Sequence, residues 1–212
     1  MIGASLSSPF IDPQLATFDR MIGFDHRHYV IAITSIGWLP GVLNIIYMQT
    51  VPIMILAGFL HALRQDRADL REFTFVYTAT LAATIVISFV TPAIGTFAFY
   101  GFGEDLTASL PPLTGTYHLE DLARIRAGNY SLDPMAMNGI VTFPSFHMAM
   151  SLVMAATFRH VPVIRWIAVI MSAITIMSTI ICGGHYIADL VGGAAITWFI
   201  MVAAARRFAV PQ

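Results

Sequence analysis

Residues 185–205 read HYIADLVGGAAITWFIMVAAA, an apolar stretch with a single charged residue, Asp189. A helix needs about 20 predominantly apolar residues to cross a bilayer, so this stretch predicts a membrane span. An ionisable side chain inside such a span is costly and indicates a function. Residues four apart share a face of a helix, so we expect His185 to form a hydrogen bond with Asp189. The alternative is a buried polar pair with a purely structural role.

The composition of the whole chain is that of a membrane protein. Of the 212 residues, 57% are hydrophobic and 11% are charged, against about 25% charged in a typical soluble domain. The net charge of −1 leaves no basic stripe for a phosphate backbone, which excludes nucleic-acid binding. A single cysteine, Cys182, excludes an internal disulfide. We therefore predict an all-α protein whose partners are the membrane and its lipids, and the sequence leaves its oligomeric state open.

Other apolar stretches predict the remaining spans, and they cover residues 41–63, 73–93 and 161–181, with a shorter one at 144–158. Residues 13–25 are amphipathic and are expected at the interface. Residues 29–39 are apolar but too short to cross, so we expect an interfacial or re-entrant helix there. We predict a bundle of five or six spans, in which a sixth would come from the region of Tyr29 or from a missing helix. The predicted units are an interfacial N-terminal segment at 1–40 and an integral membrane domain at 41–207.

The arginines predict the orientation of the bundle. Seven of the eleven basic residues fall on one side by parity: Arg64, Arg67, Arg71, Arg159, Arg165, Arg206 and Arg207. Basic loops stay cytoplasmic, so the long irregular segment at 94–143 is expected outside, as a cap over a site. We expect an integral protein of a bacterial inner or plasma membrane with its site on the outer side.

A second histidine falls at that outer side. His147 ends the run Phe143-Pro144-Ser145-Phe146-His147, which opens the short third span. Pro144 suits the first position of a helix, and the amides of the following turn, near Ser145, would offer an anion site. The short span suggests a recess at its start. The alternative is a structural histidine.

Together these two runs resemble a known family. Pro144-Ser145-Phe146-His147 is similar to the second signature motif, P-S-G-H, of the type 2 phosphatidic acid phosphatase superfamily. Ser178-Thr179, five residues, His185, three residues and Asp189 keep the spacing of the third motif, S-R-x5-H-x3-D. Phe146 replaces the glycine and Thr179 the arginine. In both respects the chain is similar to the branch of inositol phosphorylceramide synthase-like proteins.

The resemblance implies a lipid phosphatase or phosphotransferase that uses neither a metal nor a cofactor. His185 would be the nucleophile that forms a phosphohistidine, Asp189 would orient it, and His147 would be the general acid and base. The implied substrate is a phospholipid, a sphingolipid or a polyprenyl phosphate. Hydrolysis and transfer of a phospho-head group, such as an inositol phosphate, to an acceptor lipid both remain open.

The basic first motif of the family, K-x6-R-P, has no match in this chain. Arg126 lies 18 residues before Pro144, in a segment similar to the inositol phosphotransferase-like branch, and it is our predicted phosphate ligand. Arg124 is the second candidate. The alternative is that both arginines pair with Glu120 and Asp121 on one short helix.

Three other classes of protein remain to be weighed. A transporter could use His185 and Asp189 as a proton relay, but the paired broken spans of transporter repeats are missing. A haem or metal protein would need ligands in addition to the two histidines. A nucleotide-dependent alcohol phosphotransferase would need several aspartates in its spans, and only Asp189 lies in one.

Overall fold

The computed structural model describes residues 8–63, 67–128 and 142–208. Within these ranges all regular secondary structure is helical, in ten helices: α1 (Asp12–Met21), α2 (His26–Thr34), α3 (Leu39–Leu63), α4 (Arg67–Val90), α5 (Thr96–Tyr100), α6 (Glu104–Thr107), α7 (Leu119–Arg126), α8 (Phe146–Thr157), α9 (Pro162–Cys182) and α10 (Ile187–Phe208).

Four of these helices are long and apolar enough to cross a membrane: α3, α4, α9 and α10, with 25, 24, 21 and 22 residues. Their bounds follow the predicted spans within about three residues, except at the start of α4. That helix begins at Arg67 rather than near Phe73, because its first turns are polar and carry no apolar signal. Of the described residues, only these four helices meet the length criterion, so the predicted count of five or six spans is not confirmed.

The short third span is the helix α8, which lies at the centre of the bundle. It contacts all four long helices, and its 12 residues rise only about 18 Å. Met150, Val153 and Met154 of α8 are buried in one cluster with residues of α3 and α4. Ser172 on α9 donates a hydrogen bond of 2.7 Å to the carbonyl of Ser151. A helix enclosed in this way does not need the length that a lipid-facing span needs.

The two ends of the bundle carry different functional residues. At one end, Arg159 lies 3.3 Å from the carboxylate of Glu72, and the guanidinium of Arg207 lies over the ring of Phe75. Arg64, which contributed to our orientation argument, lies outside the described residues. His147 and His185 lie at the opposite end, at the starts of α8 and α10.

The N-terminal helices pack on the histidine end of the bundle. Helix α1 contacts α10, and α2 contacts α3. Leu15 and Ala16 of α1 are buried against Tyr186 and Ala188. The segment that we expected to lie at the interface thus has a buried face against the span that carries Asp189. The boundary at residue 40 stays a prediction.

Candidate active site

The two sequence motifs meet through a backbone hydrogen bond. The N–H of Ser145 donates to the carbonyl of Asp189 over 3.0 Å. Two glycines of α10 make this approach possible. A Cβ atom at Gly192 would lie 3.0 Å from the ring of Phe143, and one at Gly193 would collide with the carbonyl of Ser145. These small residues of the last span therefore allow the 143–145 segment to lie directly on α10.

The histidine–aspartate pair is present and buried. Nδ1 of His185 lies 2.9 Å from Oδ2 of Asp189, and the backbone N–H of Tyr186 donates to the same oxygen over 3.0 Å. The exposed fractions of the two side chains are 3% and 0%. When Nδ1 carries the proton and donates to the carboxylate, Nε2 keeps its lone pair. The pair thus has the geometry of an oriented nucleophile.

His147 is held by an aromatic contact that the sequence did not reveal. Its imidazole stacks on the ring of Tyr47, with centroids 3.9 Å apart and planes at 19°. Tyr47 is 3% exposed and lies near the start of α3. Its hydroxyl is hydrogen-bonded to that of Tyr117, from the segment before α7. Tyr47 and His147 are a hundred residues apart, so no local pattern signals this pair.

The same tyrosine brings the second histidine close to the first. A Cβ atom built on Gly183 would lie 2.9 Å from the hydroxyl oxygen of Tyr47 and 2.5 Å from Cδ2 of His185. The ring of Tyr47 therefore covers His147 while its hydroxyl reaches the turn that carries His185. The structure thus places His147, His185 and Asp189 in one cluster, and their catalytic roles stay predictions.

Ser145 has a visible structural role. It is the N-cap of α8, and its hydroxyl accepts a hydrogen bond of 3.3 Å from the backbone N–H of Met148. Pro144 precedes this cap, so our placement of Pro144 at the first helical position was wrong. An N-cap needs a side-chain acceptor at the residue before the helix, and Ser145 supplies it. Because the amide of Ser145 is bonded to Asp189, it is not available as an anion donor. The predicted phosphate contact of its side chain stays a prediction.

The two predicted phosphate ligands have other contacts. Arg124 forms an exposed ion pair of 2.5 Å with Glu120, one turn away on α7, as in our alternative interpretation. Arg126 donates to the carbonyl of Ser8 over 2.8 Å, and its guanidinium lies 3.7 Å from the centroid of Phe10. Among the described residues, these contacts hold both arginines away from His147 and His185.

Two aspartates that our sequence reasoning missed hold the site in place. Asp19 is fully buried and accepts hydrogen bonds from the backbone N–H groups of Ile187 and Ala188, at 2.8 and 3.0 Å. Asp12 accepts from the hydroxyl of Tyr186 over 3.0 Å. A carboxylate at a helix N-terminus accepts hydrogen bonds from backbone N–H groups that have no partner inside the helix, and it interacts favourably with the helix dipole. Their spacing of seven residues on α1, on the face of the buried residue Leu15, was the available signal.

The segment before α7 lies on the turn between α9 and α10. The N–H of Gly115 donates to the carbonyl of Cys182, and the N–H of Thr96 donates to that of Gly184. His118 bonds to the carbonyl of Ile94 over 2.9 Å. Burial lowers the pKa of His118, so the neutral ring donates through Nε2–H. Residues 129–141 lie outside the described residues, and the predicted cap therefore stays a prediction.

The helical bundle and the joined motifs define a class of integral membrane protein with paired histidines at one end. The chain belongs to the type 2 phosphatidic acid phosphatase (PAP2) superfamily, because the family model for the PAP2 superfamily matches residues 13–203. Members of this superfamily are generally phosphatases, which supports an enzyme of phosphatase type. No curated protein and no solved structure gives a significant match. The inositol phosphorylceramide synthase-like branch stays a prediction.

The described residues contain no group of three or more His, Cys, Asp or Glu side chains arranged to hold a metal ion.

Proposed function

We propose that this protein is a membrane lipid phosphatase or phosphotransferase that works through a phosphohistidine. The observation that carries the proposal is the backbone bond between Ser145 and Asp189, because it joins the segment preceding His147 to the helix that orients His185. Two imidazoles at one end of a membrane bundle suit a substrate whose phosphorus lies near the bilayer surface. Membership of the PAP2 superfamily supports the same chemistry.

In the first step of the proposed reaction, the lone pair on Nε2 of His185 attacks phosphorus. The bond between phosphorus and the ester oxygen breaks, and His147 gives a proton to the leaving oxygen. Asp189 accepts the Nδ1–H bond throughout, which keeps the ring in the reactive tautomer and stabilises the positive charge that forms on it.

In the second step, His147 removes a proton from water or from the hydroxyl group of an acceptor lipid. The resulting oxygen nucleophile attacks phosphorus, the phosphorus–nitrogen bond breaks and His185 returns to its neutral form. Water yields a free phosphate or phosphate monoester, and a lipid hydroxyl yields a new phospholipid. The same intermediate serves both outcomes, so the choice depends on which nucleophile enters the site.

Negative charge on the phosphoryl oxygens requires donors around them. We propose Arg126 for this role, with Arg124 and the hydroxyl of Ser145 as further ligands. A rearrangement of the Arg126 side chain from Ser8 and Phe10 would accompany substrate binding.

The proposed location of the site is the outer side of a bacterial inner or plasma membrane. The arginines described at the other end of the bundle support this orientation through the positive-inside rule.

The decisive experiment offers the purified protein radiolabelled phosphatidic acid, phosphatidylinositol and a polyprenyl phosphate. Each is tested with and without ceramide or diacylglycerol. We expect turnover of at least one lipid, trapping of label on His185 after acid-free quenching, inhibition by vanadate and no inhibition by EDTA. Turnover that EDTA abolishes would contradict the proposed mechanism. A proton-driven flux without turnover would instead favour the transporter alternative.

A further inference from the structure

A cavity separate from the histidine cluster lies between α1, the start of α2 and the residues that follow α5. Its volume is about 310 Å³. Arg20 and Arg27 line it together with the rings of Phe24, Tyr100 and Phe102. None of these residues takes part in the proposed reaction. The cavity is large enough for a polar head group of several heavy atoms.

The two arginines of this cavity are only weakly paired, whereas His26, which also lines it, forms a buried pair with Asp19 at 2.6 Å. The guanidinium of Arg20 donates to the neutral hydroxyl of Thr17 over 2.9 Å. Arg27 lies 3.6 Å from Asp105, and both side chains are more than half exposed. An exposed ion pair of that length contributes little binding free energy, so the guanidinium of Arg27 is available to a better partner.

The carboxylate inside the cavity is already engaged. Asp25 accepts hydrogen bonds from the backbone N–H and the ring of His28, at 3.0 and 2.9 Å. These bonds lower the pKa of Asp25, so it stays ionised but directs its oxygens toward α2. Of the guanidinium and carboxylate groups that line the cavity, two are guanidiniums and one is this carboxylate, while Asp105 is not part of the lining. The cavity favours an anion.

The rings give the cavity an apolar wall. Tyr100 and Phe102 stack with centroids 5.7 Å apart and planes at 19°. Aromatic rings beside cations at the end of a membrane bundle are typical of the region where lipid head groups lie. The wall also adjoins the histidine cluster, because the ring of Tyr186, next to His185, packs on His26 and Tyr100.

We infer that this cavity binds the phosphate-bearing head group of an anionic phospholipid, with the phosphate on Arg20 and Arg27 and the glycerol region against Tyr100 and Phe102. The inference does not rest on the proposed reaction. Arginine forms bidentate bonds with phosphate oxygens, and the exposed guanidiniums need little rearrangement to do so.

The test measures binding of radiolabelled short-chain phosphatidylglycerol to the full-length protein in a neutral detergent. The His185→Ala variant is used throughout, so that turnover does not consume the lipid. We expect Arg20→Gln/Arg27→Gln to weaken binding at least tenfold. The matched control, Arg67→Gln/Arg71→Gln, removes the same charge from the opposite end of the bundle and should bind normally. Phosphatidylcholine, which has no net charge, should not compete.

Three results would overturn the inference. They are unchanged affinity in the Arg20/Arg27 variant, equal loss in both double variants, and competition by inorganic phosphate as strong as that by the lipid. The last result would indicate a site for free anions. If the double variant does not fold, the single variant Arg27→Gln at an exposed position gives the same comparison. Failure of every lipid in the turnover assay would leave these binding results intact.

Discussion

The backbone N–H of Ser145 donates to the carbonyl of Asp189, and this bond joins two motifs that are 44 residues apart in the sequence. Neither group is a reacting group in the proposed mechanism. The bond fixes the start of α8 against the first turn of α10, and in this way it sets where His147 stands relative to His185. The geometry of the site therefore depends on how closely the 143–145 segment can approach α10.

The first prediction concerns that approach. Gly193→Ala introduces a Cβ atom that collides with the carbonyl of Ser145. We expect the free energy of unfolding to fall by about 1–3 kcal/mol, as for other overpacked sites, and turnover to fall at least tenfold. The measurements are thermal unfolding and initial rates.

The matched control for this variant is Gly41→Ala on α3, where an added Cβ atom meets nothing within 4 Å. It should be neutral or slightly stabilising, since alanine is the better helix former. Normal activity in Gly193→Ala would show that the close approach is not needed.

The second prediction concerns the orientation of the nucleophile. Asp189→Asn keeps an oxygen for the N–H of Tyr186 but removes the charge that pairs with His185. We expect a loss of about 10³–10⁴-fold in kcat, the size seen when an orienting carboxylate is lost. His185→Ala should abolish turnover altogether. Circular dichroism checks that both variants fold, and wild-type rates in either would exclude a phosphohistidine at this position.

The third prediction separates the two contacts of Tyr47. Tyr47→Phe keeps the ring that stacks on His147 and loses the hydroxyl that meets Tyr117. Tyr47→Leu loses both. We expect Tyr47→Leu to lower kcat at least tenfold with little change in KM and to alter the pH profile of kcat, because His147 is no longer held in place. Tyr47→Phe should lower kcat only a fewfold.

Tyr117→Phe is the control for the hydroxyl contact. Either single variant already removes the hydrogen bond between the two hydroxyl groups. The kcat of Tyr47→Phe/Tyr117→Phe should therefore be no lower than that of the slower single variant. If the pH profile of kcat is the same in Tyr47→Leu as in the wild type, the stacking of Tyr47 on His147 contributes only to packing.

The fourth prediction concerns Asp19, whose carboxylate accepts hydrogen bonds from the first residues of α10. Asp19→Asn removes a buried charge that accepts bonds from Ile187 and Ala188 and pairs with His26 at 2.6 Å. We expect a loss of about 1–3 kcal/mol in the free energy of unfolding, with lower activity because the turn at His185 loosens. Asp105→Asn, on an exposed and weakly paired carboxylate, is the control and should unfold normally.

The fifth prediction tests the phosphate ligand. Arg126→Gln should raise KM for a phosphorylated lipid about tenfold, since charged hydrogen bonds contribute about 1.5–3 kcal/mol. Arg124→Gln should have a smaller effect, because its guanidinium is paired with Glu120 at the surface. An unchanged KM in Arg126→Gln would exclude a role of Arg126 in phosphate binding. Its contacts with Ser8 and Phe10 would then be purely structural.

Sequence patterns predicted the elements of this fold better than their contacts. The long helices follow from uninterrupted apolar runs, and the pairing of His185 with Asp189 follows from helical spacing. The apolar pattern did not predict the first turns of α4, because Arg67 and its neighbours are polar. A helix can extend beyond the apolar core of a membrane. Pro144 was misplaced because a proline suits several positions near a helix start, and the serine after it decides where the helix begins.

The missing parts of the site are long-range contacts. In the sequence, Tyr47 is indistinguishable from the other apolar residues of its span. Nothing near it signals that its ring stacks on His147. Asp12 and Asp19 share the face of Leu15, but nothing near them in the sequence identifies the backbone amides against which both carboxylates are buried. In both cases the partner lies about a hundred residues or more away, beyond the reach of periodicity.

The hydrogen bond from Ser172 to Ser151 fixes the position of His147 along the neighbouring helix α9. Because α8 and α9 run in opposite directions, His147 lies level with about residue 176, six residues below the end of α9. At 1.5 Å per residue that is about 9 Å. A phosphate ester that approaches the backbone level of His147 passes the end of α9 by that distance. The group attached to the phosphate has to enter with it, so we expect the bulk of that group to influence which lipids react.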